Sequence, residues 1–251
     1  MDYDLVVIGA GWAGFNASLR AKELGLKVAL VDKGPIGGTC LNSGCIPTKT
    51  LIQSAKIYSL VKKSANFGIE SENPKINFLK IQERKEKVIQ QLRQGIQFSL
   101  KGVDFLNAEA KILTGNQIQA GTQKISAKNI LIATGSKPTE LKGLKFDHQK
   151  ILSSDDILNI KELPKNLLII GGGVIGCEFA SLFAAFGTQV TISELMPQLL
   201  PGEDSEVAKK LENALKKRGI KVNTNSDALK THLNAFDLVL LSIGRDRKSV
   251  V

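Results

Sequence analysis

Two α/β domains in tandem, each a parallel sheet flanked by helices, are what this sequence predicts. The first observation is an internal repeat. A short apolar strand, a glycine-rich turn, a helix, a second strand and a closing acid occur twice. The first glycine and the acid are 23 positions apart in both copies, Gly9 to Asp32 and Gly171 to Glu194. The second observation is what lies between the copies, a helical stretch followed by short strands punctuated by Gly115 and Gly121. A repeated strand–turn–helix–strand unit builds parallel sheets, and two copies describe two like folds in one chain.

The first copy begins with the strand Leu5–Ile8. Gly9-Ala10-Gly11-Trp12-Ala13-Gly14 follows, then a helix over about Ala13–Leu24 and a strand over Leu26–Val31, closed by Asp32. This is the full context of a dinucleotide-binding turn in a Rossmann-type fold. Gly9 permits the turn, Gly11 lets a pyrophosphate approach the backbone, and Gly14 lets helix and strand pack closely. The helix N-terminus offers N–H groups to phosphate, and Asp32 would accept from ribose hydroxyls.

Next come a helix from about Pro47 to Lys63 and a second from about Phe78 to Lys101, striped by Ile81, Val88, Leu92 and Ile96. Within it Glu83-Arg84-Lys85-Glu86-Lys87 mixes signs and reads as a solvated face. Val103–Lys128 reads as a β-meander, and Asn129–Ala133 as a separate apolar strand broken by Thr134-Gly135-Ser136. Pro138–Pro164 is a connection in which Ser153-Ser154-Asp155-Asp156 signals a helix cap. The expected domains are 1–148 and 149–251.

The second copy runs through the strand Asn166–Ile170, Gly171-Gly172-Gly173-Val174-Ile175-Gly176, a helix to about Phe186, the strand Gln189–Ser193 and Glu194. An acid at this strand end, with Met196 and Pro197 after it and no adjacent base, favours NAD over NADP. Cys177, inside the helix, reads as a small buried hydrophobe. A charged amphipathic helix over Glu203–Arg218 and strands at Ile220–Val222 and Phe236–Ile243 complete the pattern.

After Asp32, leading into the helix from about Pro47, comes Gly37-Gly38-Thr39-Cys40-Leu41-Asn42-Ser43-Gly44-Cys45-Ile46-Pro47-Thr48-Lys49-Thr50. It holds two of the chain's three cysteines. Pro47 suits a first helical turn, so Cys45 falls at or near a helix N-terminus, where the macrodipole and unpaired N–H groups favour a thiolate. Lys49 follows one helical turn later on the same face. Three readings compete for the cysteines. A structural zinc site needs about four ligands, and only Cys177, His148 and His232 remain, all distant and unpaired in sequence. A structural disulfide belongs to an oxidising compartment. A redox-active pair fits cysteines that are close, glycine-flanked and at a helix start.

The segment Gly38 to Lys49 resembles the active-site signature of the flavin-dependent pyridine nucleotide-disulfide oxidoreductases, most closely their dihydrolipoamide dehydrogenase branch. Glutathione reductases usually carry a second lysine where Thr48 stands. The resemblance implies FAD in the first fold and NAD in the second. It implies that Cys40 and Cys45 form a redox disulfide, with Cys40 exchanging with a dithiol substrate (dihydrolipoamide or a lipoyl domain) and Cys45 facing the flavin. It implies that Lys49 pairs with Glu178, from a Glu-Phe-Ala segment like the family's. FAD contacts would come from Gly9, Gly11, Trp12, Ala13, Gly14, Asp32, Lys33, Gly38, Thr39, Cys40, Lys49, Ala110, Ala133, Thr134, Gly135 and Ser136. NAD contacts would come from Gly171, Gly173, Val174, Ile175, Gly176, Glu194 and Gly244. A mercuric reductase is the alternative enzyme within the family.

The chain departs from the pattern in places. Asp32 stands where the family more often has glutamate. The span from Val222 to Phe236 is shorter than the family's. After Gly244-Arg245 the family continues with proline and asparagine, then returns to the FAD domain and adds an interface domain carrying a His–Glu pair. Here Asp246–Val251 follows instead. The expectation is therefore a short or truncated relative, its first sheet left with an uncovered edge and its homodimer interface domain missing. A catalytically incomplete FAD/NAD-binding fragment is the alternative from another class. His148 and His232 match no family motif.

Composition fits a globular chain, with 251 residues, 43% hydrophobic and 23% charged, and a formal net charge of +10. The lysines are spread along the chain without aromatic interleaving, which argues against nucleic-acid binding and for a solvated surface with some pull on phosphate-bearing cofactors. No apolar run reaches the length of about 18 residues needed to span a bilayer. Met1 leads almost directly into the first strand, so a cytoplasmic protein is expected.

Overall fold

The computed structural model describes residues 1–230 and 232–247; the tail Lys248–Val251, part of the departure noted above, lies outside them. The chain divides into two compact units. One comprises Met1–Pro47, Lys87–Lys137 and the residues from Asp246; the other comprises Thr48–Glu86 and Pro138–Arg245.

The first unit is built on a six-stranded sheet. Its strands are β1 (Tyr3–Ile8), β2 (Val28–Asp32), β3 (Asp104–Asn107), β4 (Ala110–Thr114), β5 (Gln117–Ala120) and β6 (Gln123–Ile132), in the order β3-β2-β1-β6-β5-β4. β3, β2, β1 and β6 run parallel, with Val7 opposite Leu30 on one side and Leu131 on the other. Alternation places successive side chains on opposite faces. Val7 and Leu30 pack with Phe15 and Ala21 of α1 (Trp12–Glu23). Val6, Ala29 and Val31 pack with Ile118, Ala120, Ile125 and Ala127 of the meander. Burying each large aliphatic side chain is worth about 1.5–3 kcal/mol.

The structure corrects the expected strand pattern here. Asn129–Ile132 is not a separate strand but the end of the ten-residue β6. Its first residues pair antiparallel with β5 and its last with β1, so one strand serves both meander and parallel sheet. Asp104–Asn107 joins the parallel sheet beside β2 instead of the meander. Among the described residues no strand lies beyond β6 after Ser126, and Leu131 and Ile132 are 38% and 47% exposed.

In the second unit a five-stranded parallel sheet has the order β11-β10-β9-β12-β8. These strands are β8 (Ile151–Leu152), β9 (Asn166–Ile170), β10 (Gln189–Ser193), β11 (Lys221–Asn223) and β12 (Leu238–Leu241); two-residue strands β7 (Lys137–Pro138) and β13 (Arg245–Asp246) flank this run of chain. α5 (Val174–Ala185) packs Phe179, Leu182 and Phe183 into the main core. α6 (Ser205–Lys217) starts at Asp204, whose Oδ1 accepts from the N–H groups of Glu206 and Val207, a good N-cap. Three further helices are α2 (Gly38–Ser43), α3 (Cys45–Val61) and α4 (Phe78–Ser99). Leu51 and Ala55 of α3, with Phe78 and Ile81 of α4, join the core around Phe186.

The run Glu83–Lys87 is not the uniformly solvated face its mixed charges suggest. Lys85 is 2% exposed. Its Nζ donates to the Leu158 carbonyl at 2.7 Å and to Asn159 Oδ1 at 3.1 Å, and pairs with Glu86. A buried ammonium is tolerated because its donors are satisfied. Ser153–Asp156 does start a helical turn, the 3₁₀ segment Ile157–Asn159 that supplies those acceptors.

Both glycine turns have the same geometry. Gly9 and Gly171 have φ of +106° and +105°. A Cβ on Gly14 would lie 1.8 Å from the Gly9 carbonyl oxygen, and one on Gly176 2.0 Å from that of Gly171. Gly176→Ala is therefore expected to lower the urea midpoint of unfolding, at a cost of at least about 1–3 kcal/mol. Gly173→Ala, where a Cβ would meet nothing within 4 Å, should cost about 1 kcal/mol or less. Equal midpoints for the two variants would contradict this account.

Candidate functional site

In the first unit the turn is fixed from three directions. Asp32, at the end of β2, accepts from the Ala10 N–H through Oδ2 at 2.6 Å and from the Gly34 N–H through Oδ1 at 2.7 Å. The Gly9 turn passes beneath the Ala133 carbonyl, 2.2 Å from where a Gly9 Cβ would sit, so β6 delivers Ala133, Thr134 and Gly135 to the same place. Gly11 is the N-cap of α1 and supplies no side-chain cap. The first N–H groups of this 12-residue helix thus have no capping side chain and point to an anion.

The third direction is the cysteine segment. The Gly37 N–H donates to the Ala10 carbonyl at 2.9 Å. A Cβ on Gly38 would lie 2.4 Å from Gly11 Cα, so the two backbones touch where both residues lack side chains. α2 leaves from this contact and carries Thr39 and Cys40, and α3 begins at Cys45 itself. The helix start expected near Pro47 thus falls two residues earlier, on the cysteine. Cys40 is half-buried and Cys45 exposed.

Trp12 is 63% exposed at the first position of α1. Lys33 pairs with Glu109 at 2.9 Å on the surface, which raises the lysine pKa and lowers that of the glutamate. Ala110 opens β4 opposite Ala120. Ser136 follows Gly135 after β6.

In the second unit the acid repeats its counterpart's bonding. Glu194 is buried; Oε2 accepts from the Gly172 N–H and Oε1 from the Met196 N–H. Gly173 is an N-cap without a side-chain cap, in front of Val174 and Ile175. The turn opens onto a cavity of about 630 Å³, within the usual range for a small-molecule site. Gly171, Gly173, Glu194, Met196, Ser226 and Gly244 are among its walls, and Gly244 has φ +128°. Lys49 Nζ donates to Glu178 Oε1 at 2.5 Å, which gives the expected ion pair.

Other residues here were not among the contacts expected from sequence. The Ser242 carbonyl roofs Gly171 as Ala133 roofs Gly9, and Ser242 Oγ donates toward Ile170 and Gly171 carbonyls. Arg245 lines the cavity and reaches Ser154 and Asp155 at 3.3 Å. The described residues of the span between β11 and β12 include the 3₁₀ turns Ala228–Lys230 and Leu233–Ala235, and its residues Ser226–Leu229 line the cavity. His148 lies against Asp156 at 2.9 Å, outside the cavity walls.

Cys177 is 6% exposed, and its thiol donates to the Gly172 carbonyl at 3.4 Å. Burial, with the carboxylates of Glu194 and Glu178, pushes it up to about 11.

Together these features define a protein with two dinucleotide turns, the first joined to a segment that carries two cysteines, Cys40 and Cys45. The chain belongs to the pyridine nucleotide-disulphide oxidoreductase family, whose pattern it matches over residues 3–248. FAD and NAD, the expected cofactors, are those of the family. The chain is 37% identical to a dihydrolipoyl dehydrogenase of Bacillus subtilis over 99% of its own length and 56% of the relative's. It is 38% identical to a dihydrolipoyl dehydrogenase of Acholeplasma laidlawii, covering 97% of this chain and 78% of that one. Among solved structures it resembles the Cu(II) complex of the HOCl-induced flavoprotein disulfide reductase RclA from Escherichia coli, with a TM-score of 0.83, 28% identity, and coverage of 99% of this chain and 58% of that one. The chain spans about half the length of most curated relatives it matches. Among the described residues no helix is long and apolar enough to cross a membrane.

Iodoacetamide at pH 8 is expected to label Cys45 in the native, dithiothreitol-reduced protein and to leave Cys177 untouched until denaturant is added. Peptide mass spectrometry over a time course reads this directly. Native labelling of Cys177 as fast as Cys45 would contradict the burial described.

Proposed function

We propose that this chain is a flavoprotein disulfide oxidoreductase of the dihydrolipoyl dehydrogenase type, moving electrons between a dithiol, the Cys40–Cys45 pair, FAD and NAD. The observation that carries this reading is the backbone contact between Gly38 and Gly11. It roots the cysteine segment directly on the first dinucleotide turn, with no side chain intervening.

Both turns fit a dinucleotide. Each offers a helix N-terminus without a capping side chain, beside a glycine whose missing Cβ leaves room. Gly9, Gly11, Gly14, Asp32 and Ala133–Ser136 would hold FAD, and Gly171, Gly173, Gly176, Glu194 and Gly244 would hold NAD. FAD, when bound, supplies a two-electron carrier between thiols and nicotinamide.

The thiol chemistry belongs to the chain. A thiolate of the substrate attacks Cys40 Sγ in the Cys40–Cys45 disulfide. A substrate–Cys40 bond forms and Cys45 leaves as a thiolate, favoured at the first residue of α3. The second substrate thiol then attacks the substrate's own sulfur, releases Cys40 and closes the substrate disulfide. The substrate loses two electrons and the protein disulfide gains them. Lys49 and Glu178 hold each other in place so that the ammonium can steady charge developing where nicotinamide docks. Glu194 and Asp227 both line the second cavity, and a 2′-phosphate there would meet carboxylates, which favours NAD over NADP. A cytoplasmic location agrees with a cysteine pair that must cycle through its reduced form.

The first test is an absorption spectrum of the purified chain with FAD, followed by anaerobic NADH titration. Bleaching with new long-wavelength absorbance is expected, and Cys45→Ser should abolish that absorbance. Trp12, the only tryptophan, should be quenched as FAD binds. A chain that takes up no FAD, or whose NADH-reduced spectrum is the same in Cys45→Ser, would sink the reading.

A second prediction concerns the ion pair. Lys49→Ala and Glu178→Gln should each slow flavin reduction by NADH about tenfold or more in stopped flow, measured with both variants saturated with FAD. Unaltered rates in both would remove the pair from the mechanism.

A further inference from the structure

Asn42 stands between the two cysteines in sequence, on α2. Its side-chain Nδ2 lies within hydrogen-bond distance of three backbone carbonyls, those of Pro35 (3.2 Å), Ile36 (3.1 Å) and Gly38 (2.9 Å). Those carbonyls belong to the loop that crosses the first dinucleotide turn. Asn42 Oδ1 accepts from Arg93 Nη2, on α4, at 2.6 Å. Arg93 is half-buried, its Nε is buried without a hydrogen-bond partner, and among the described residues no carboxylate stands within ion-pair distance of it.

An asparagine amide can present either end to a neighbour, whereas an arginine only donates. Arg93 therefore forces Oδ1 toward itself and turns the NH₂ group toward the loop carbonyls. The same contact holds an un-neutralised guanidinium against the segment that carries both cysteines. A nearby cation favours thiolates, hence the reduced dithiol, and a stabilised reduced form makes a couple more oxidising.

We propose that Arg93 and Asn42 are a positioning pair that locks the cysteine segment onto the first dinucleotide turn and raises the reduction potential of the Cys40/Cys45 couple. This rests on the reading above that Cys40 and Cys45 are a redox couple.

The 251-residue chain, saturated with FAD, is equilibrated in dithiothreitol buffers of graded oxidised-to-reduced ratio, quenched by alkylation and analysed by mass for Cys40 and Cys45. The wild type should show one reversible two-electron couple. Arg93→Met should shift its equilibrium constant toward the disulfide by about tenfold, which for two electrons is about 30 mV. Arg93→Lys, which keeps the cation, should return most of that shift, whereas loss of packing alone would be rescued no better by lysine than by methionine. Asn42→Ser should weaken FAD binding and move the couple in the same direction.

A wild-type couple with an Arg93→Met constant within twofold of it overturns the positioning pair and leaves the redox assignment standing. A wild type with no reversible couple overturns the redox assignment itself, and the pair with it. Should Arg93→Met fail to fold, Arg93→Gln and Arg93→Lys are compared instead. Lysine near wild type with glutamine shifted supports the proposal; equal constants in both overturn it.

Discussion

Each dinucleotide fold in this chain hangs on a carboxylate that closes onto its own glycine turn. Asp32 binds the Ala10 N–H and Glu194 the Gly172 N–H, and each spends its other oxygen on an N–H two residues further along. One side chain thus ties the end of the second strand to the turn after the first strand. The helix start between them is fixed without a side-chain cap. A capping side chain would occupy the N–H groups a phosphate needs; bracing the turn from behind leaves them open. A carboxylate has about four acceptor sites, so two hydrogen bonds to the backbone still leave lone pairs for ribose hydroxyls. The acid is then structural before any nucleotide arrives, and the shorter Asp32 makes the same bonds as Glu194.

The two copies diverge in what covers the turn. Over the first lies the Gly37–Gly38 loop, so close that a Cβ on Gly38 would lie 2.4 Å from Gly11 Cα. Over the second lies Leu199, within 2.4 Å of where a Gly172 Cβ would sit, while Gly173 faces open space. One turn is therefore committed to a neighbouring segment that bears cysteines, and the other to a cavity. The same local geometry serves two chemistries because the difference sits outside the repeat, in the residues that follow Asp32 and Glu194.

Much of this was legible in sequence. The spacing from Gly9 to Asp32 and from Gly171 to Glu194 is local information, and both turns form where that spacing puts them. The Lys49–Glu178 pair was reachable only through resemblance, since 129 residues separate the partners. Ser242 and Arg93 were not reachable at all. Ser242 matters through its carbonyl, which any residue carries, and Arg93 looks like one more cation on a long mixed helix. Lys85 shows the same limit from the other side. Its neighbours are charged, so local pattern reads as solvent, but its acceptors come from Leu158 and Asn159, more than seventy residues away. Periodicity reports which face of a helix is apolar; it does not report where an isolated polar chain will find acceptors inside.

The span after β11 shows how backbone bonds shape the second site. The Ser226 N–H donates to the Glu194 carbonyl and the Asn225 N–H to the Met196 carbonyl. Ser193 Oγ and Ser226 Oγ lie 3.0 Å apart. These bonds bind the span to the residues just after β10, and Asp227 Oδ1 accepts from the Leu229 N–H to begin the first 3₁₀ turn. This wall of the cavity is held by backbone tethering to the very residues around Glu194. The cavity beside Gly173 is therefore set by the end of β10, and the span conforms to it.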